Sequence, residues 1–127
     1  KSIFIILTIL FIGTSTLFSQ QDVKIETAKK EFITKELALT PQEADAFFPI
    51  YNEYIQKKKE TRKTLKKELN NSGDMSVDKL LGIEQSKVDL QREYTEKFKK
   101  VISEKKIIRL YEVEKEFKKF LLQKLND

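Results

Sequence analysis

Neither histidine nor cysteine occurs among the 127 residues, and this removes most of the chemistry a side chain can perform near neutral pH. General-base and nucleophilic catalysis draw mainly on imidazole and thiolate, and transition metals are held mainly by the same two groups. The serines lie at helix starts, in the apolar leader, in a turn or, as with Ser86, inside a helical stretch. No imidazole is present to activate any of them. Carboxylates remain. Glu112 with Glu116, and Asp89 with Glu93, have the four-residue spacing that lets two carboxylates on one helix face share a hard cation. With 35% of the residues charged, such pairs are more often solvated or neutralised by lysine. No glycine-rich loop is available to cradle a phosphate. The chain therefore reads as a protein that is not an enzyme, with no cofactor and no metal site.

Two clusters could still recognise another molecule. Lys57, Lys58, Lys59, Arg62, Lys63, Lys66 and Lys67 form a basic run, interrupted among acidic residues only by Glu60. Cations in the C-terminal half of a helix offset the macrodipole, so one reading is a solvated face. The other is a docking surface for acidic proteins or anionic lipid. Nucleic acid is set aside as a partner, because no recognition motif accompanies the charge. The second cluster is aromatic: Phe47, Phe48, Tyr51 and Tyr54 recur at helical spacing. They read either as core or, because Tyr combines an apolar body with a wettable hydroxyl, as part of a contact surface.

The elements that position these clusters are helices. Apolar residues Val23, Ile25, Ala28, Phe32, Ile33 and Leu37 give a first helix over about 22–38. Thr40 and Glu43 form a capping box, each side chain able to accept a hydrogen bond from the other's backbone N–H, and Pro41 stands at the first helical position. A second helix then runs from Pro41 to about residue 70, with Pro49 inside it as an expected kink. Asn70, Asn71, Ser72, Gly73 and Asp74 make the clearest turn. A third helix is expected over about 76–101. Ser103 caps a fourth, whose face carries Ile107, Leu110, Tyr111, Phe117, Leu121 and Leu125. No strand alternation is present, so the fold class is all-α.

Laid over Ile102 to Phe117, the segment Leu39 to Tyr54 pairs Thr40 with Ser103, Ala44 with Ile107, Phe47 with Leu110 and Tyr54 with Phe117. The chain then consists of two helix-break-helix units. Two amphipathic helices aligned at their caps would give the same picture, and both readings stay open.

The run Leu39, Thr40, Pro41, Gln42, Glu43 and onward to Tyr54 (LTPQEADAFFPIYNEY) resembles the Leu-Thr-x-x-Gln helix start of the Spy/CpxP-type periplasmic stress proteins. Glu43 stands where that motif has Gln, a change that keeps the capping box. The resemblance implies an elongated, dimeric cradle. It also implies ATP-independent holding of unfolded or misfolded envelope proteins, or docking on a stress-sensor domain. Two other readings are a membrane-proximal interaction protein that binds an anionic membrane surface through the basic helix, and a Skp-like chaperone. Pro49 disfavours the last, because it breaks a sustained heptad seam early in the second helix.

Lys1 followed by the apolar run from Ile3 to Ile12 and small or polar residues from Gly13 reads as a secretory signal peptide over 1–19. Residues 20–127 are then a single exported, periplasmic domain. Without cysteine it has no disulfides, so its stability must come from helix packing or from a homodimer.

Overall fold

The computed structural model describes residues 16–71, 73 and 76–127, with side chains from Val23 onward. Among the described residues there are four helices: α1 (Thr16–Glu36), α2 (Pro41–Asn71), α3 (Val77–Phe98) and α4 (Glu104–Asn126). No strand occurs among the described residues, and the chain is all-α. The apolar segment read as a signal lies largely outside the described residues. Helix α1 begins earlier than expected, at Thr16, since nothing between Thr16 and Asp22 is a helix breaker. It therefore runs through the expected cleavage point after Ser19. No described helix is long and apolar enough to cross a membrane.

The helices alternate in direction. Glu36 meets Arg109 at 2.6 Å and Phe32 meets Phe117 with ring centroids 5.7 Å apart, so α1 and α4 run antiparallel. Phe47 lies 5.1 Å from Phe98, and Tyr54 lies 5.1 Å from Tyr94, so α2 and α3 do likewise. Lys106 donates to Glu43 and Tyr51 donates to Glu114, both at 2.8 Å, which fixes α2 and α4 as parallel. Each of these two pairs is separated by 63 residues. That is the offset at which the two units align in sequence. The starts of α2 and α4 follow the same offset, and so do several buried positions: Leu39 and Ile102, Phe47 and Leu110, and Tyr54 and Phe117 are all buried. The described residues form two helix-break-helix units, α1–α2 and α3–α4.

The breaks are built differently. Helix α1 ends in a Schellman motif, with the Leu39 N–H on the Thr34 carbonyl at 3.0 Å and the Ala38 N–H on the Lys35 carbonyl at 3.1 Å. Ala38 occupies the left-handed position, φ 50°, where glycine is usual. No glycine signals this stop in the sequence, so the first helix ends before the expected residue 38. Thr40 and Glu43 then close the capping box at 3.1 Å in each direction. In the other unit α3 stops at Phe98 rather than near 101, because its last turn tightens into bonds from Lys100 to Lys97 and from Val101 to Phe98. Ser103 caps α4 by accepting from the Lys106 N–H.

Pro49 is accommodated within an unbroken α2 of 31 residues, about 46 Å long. The proline and Asp45, whose carbonyl loses its partner, are both at least partly exposed, so water can satisfy that carbonyl. Gly73, in the expected turn, has φ 56°, a conformation glycine adopts without steric cost. Positions 72 and 74 of that turn lie outside the described residues.

The core is confined to the half of the molecule that holds the two breaks. It runs from Ile33 through Leu37, Leu39, Phe47, Phe48, Tyr51 and Tyr54, and from Tyr94 through Phe98, Ile102, Ile107, Leu110 and Val113. Among the described side chains, none of α2 beyond Tyr54 or of α3 before Tyr94 is fully buried. The distal half of α2 and the proximal half of α3 therefore form an arm that projects from this core.

Candidate functional site

The four aromatic residues considered for a contact surface are core. Phe47 is fully buried, and Phe48, Tyr51 and Tyr54 are each 4% exposed. Phe47 packs against Phe48, Tyr51 and Phe98 with centroids 5.1 to 5.4 Å apart. This corrects the surface reading. The excess of rings that prompted it is absorbed where two units close face to face, each contributing aromatics to one seam.

Three tyrosine hydroxyls at that seam find polar partners. Tyr51 donates its hydroxyl to Glu114, and Tyr94 donates to Glu53, each at 2.8 Å. Thr95 and Tyr111 share a third hydrogen bond. A buried hydroxyl without such a partner would cost about 1–3 kcal/mol. Burial, reinforced by the Glu114 charge, pushes the Tyr54 phenol up to about 12. Burial and the bond to Glu53 push Tyr94 up to about 12 as well. Tyr51 is raised further by burial and by the charge of Glu114.

The helix-start motif is structural too. Leu39 is buried, whereas Thr40, Pro41 and Gln42 are exposed. Glu43, besides closing the box, accepts from the Lys106 ammonium, which also donates to the Ala38 carbonyl at 3.0 Å. The Lys106 hydrogen bond, followed by the backbone bond from Thr40, holds the Glu43 carboxyl below its ordinary range. One lysine of α4 thus clamps the break between α1 and α2. The carboxylate pairs considered for a cation are otherwise engaged. Glu112 and Glu116 both bind Arg109, at 3.2 and 3.0 Å. Asp89 accepts from Gln85 at 2.8 Å, and Glu93 lies 4.0 Å from Lys97.

The basic run presents the contrasting case. Among the described residues, no ion pair involves Lys57, Lys58, Lys59, Arg62, Lys63, Lys66 or Lys67. Helical geometry divides the run among three hollows. Lys58, Arg62 and Lys66, four residues apart, share one stripe on the rim of a groove of about 560 Å³ between α2 and α3. Lys67 lines the opposite groove of about 880 Å³. Lys59 joins Lys29 and Lys30 in a smaller cleft of about 300 Å³ between α1 and α2. There burial pushes the Lys29 ammonium below its ordinary pKa. Lys57 and Lys63 line none of the three.

The groove with the basic stripe has an apolar floor that sequence reasoning passed over. Leu65 and Leu69 supply it from α2, Ile83 and Leu90 from α3, and Tyr54 closes its inner end. Lys87 and Gln91 stand on the far rim, and none of the described lining residues is a carboxylate. The available signal was the four-residue spacing of Leu65 and Leu69 inside the basic run, which places two apolar side chains beside the cations. Gly82 lies in α3 on the opposite groove, and a methyl group added there would meet no heavy atom within 4 Å. Its lack of a side chain is therefore not required for close packing.

No protein-family model matches the chain, and no curated protein or solved structure matches it.

Proposed function

We propose that the chain is a periplasmic envelope-stress protein of Spy/CpxP type. On this reading it is a holdase-like, ATP-independent chaperone or an adaptor for a stress-sensing partner, and the α2–α3 arm is its binding surface. The observation that carries the reading is the unpaired basic run beside open apolar grooves on that arm. At the seam Lys106 and Arg109 are drawn into ion pairs. On the arm seven cations enter no ion pair among the described residues, and the leucines between them are partly exposed. Such a surface attracts acidic chains at long range and holds apolar segments at short range. The homodimer belongs to the same proposal, supported by large apolar residues left uncovered on the single chain, among them Leu81 and Leu125.

Suppression of aggregation of a chemically denatured model protein tests the reading. Equimolar protein is expected to suppress aggregation at low salt, and less so at high salt. Unchanged aggregation at every salt concentration would remove the chaperone reading.

A further inference from the structure

The groove between α2 and α3 has a shape and charge pattern more specific than general stickiness. Its α2 rim carries Lys58, Arg62 and Lys66 at four-residue steps, so the cations repeat about every 6 Å along the helix. From Tyr54 to Leu69 the groove extends about 22 Å, close to four helical turns. A single-headed amphiphile would engage one cation of such a stripe and leave the others solvated. An α-helix with acidic residues at i, i+4 and i+8 presents charges at the same repeat of about 6 Å. Its adjoining apolar face supplies anchors at the spacing that helix-in-groove recognition uses. Among the described residues the rim contributes no carboxylate to repel it. Of the four rim cations only Lys87 is held in an ion pair among the described residues, with Glu84 at 2.9 Å.

We infer that this groove receives an acidic amphipathic helix of a partner protein, laid along α2 and α3 as a third helix. Carboxylates of the guest meet Lys58, Arg62 and Lys66, while its apolar residues cover Leu65 and Ile83. This rests on the reading of the arm as a binding surface and narrows it to one class of segment.

The test is fluorescence anisotropy of the full chain with three labelled synthetic peptides. The first has leucines at i, i+3, i+4 and i+7 and glutamates at four-residue steps beside them, the second is a scramble of the same composition, and the third has lysine for glutamate. The acidic amphipathic peptide is expected to bind at least about tenfold more tightly than either control. Reversing two exposed cations together, Arg62→Glu with Lys66→Glu, is expected to lower the association rate about tenfold and to flatten its salt dependence. Circular dichroism of that variant should match the parent. Equal binding of peptide and scramble would overturn the inference, since charge alone would then suffice. So would displacement of the acidic peptide by laurate together with equal weakening of both ligands in the double variant. Aggregation suppression measured on the same preparation separates the two levels. If it persists while the peptides are not distinguished, the helix-specific inference falls and the broader reading stands.

Discussion

Between Phe47 and Tyr54, α2 buries four aromatic rings in a seam with α3 and α4. Between Lys57 and Asn71 the same helix buries nothing completely and carries seven cations without a single ion pair among the described residues. The two stretches share one hydrogen-bonded backbone, so the contrast comes from what faces them. The first meets three other helices. The second meets α3, which supplies only Ile83, Leu90 and polar residues to the groove floor and rim. Stability therefore concentrates at one end of the helix and exposed positive charge at the other. A protein that must hold a partner without unfolding is served by that separation, because contacts on the arm can change while the seam stays closed.

The largest effect that could break this comparison comes from truncating one side chain in each stretch. Phe47→Ala is expected to cost about 3–5 kcal/mol, because Phe47 is fully buried among Phe48, Tyr51 and Phe98. Leu65→Ala, on the partly exposed arm, should cost about 1 kcal/mol. Urea unfolding of the two variants measures both, and equal losses would show that the arm is as tightly packed as the seam.

Alkaline titration sharpens the comparison next. Tyr54 and Tyr94 are held up to about 12 in the folded chain, against about 10 unfolded. The unfolded state thus loses its phenolic protons first. The stabilisation is fully present below about pH 10 and is lost as pH rises toward about 12. Ultraviolet absorbance at the phenolate band should show these rings ionising together with loss of helicity. Ionisation near about pH 10 with the fold intact would place them outside the seam. The smallest expected effect belongs to the arm. Gly82→Ala meets open space and should raise stability by about 1 kcal/mol through helix propensity, as read by the thermal midpoint, without altering the seam.

What the sequence made legible followed from local rules. Thr40 with Glu43, and Ser103 ahead of α4, were readable because a capping side chain and its target lie three residues apart. The 63-residue register was one of two open readings of the apolar positions of α2 and α4, and the Tyr51–Glu114 and Glu43–Lys106 contacts fall on it. The C-terminal stop of α1 was not, since Ala38 takes a conformation that its type does not announce. Nor was the fate of the aromatic stripe. Helical spacing places Phe47, Phe48, Tyr51 and Tyr54 on one face, but whether that face is covered depends on a second unit 63 residues away. The groove was hidden for the same reason. Its floor needs Leu65 of α2 beside Ile83 of α3, a juxtaposition fixed by how the antiparallel pair aligns.

Amide hydrogen exchange, recorded with and without a denatured client, addresses the division of labour within α2 most directly. Slow exchange is expected at 47–54 and 107–117 in the free protein, with faster exchange at 61–71 and 77–88. Client binding should add protection to the arm, centred on Leu65, Leu69 and Ile83, and leave the seam unchanged. New protection confined to the seam, or exposure of Phe47 and Tyr51 on binding, would contradict the account.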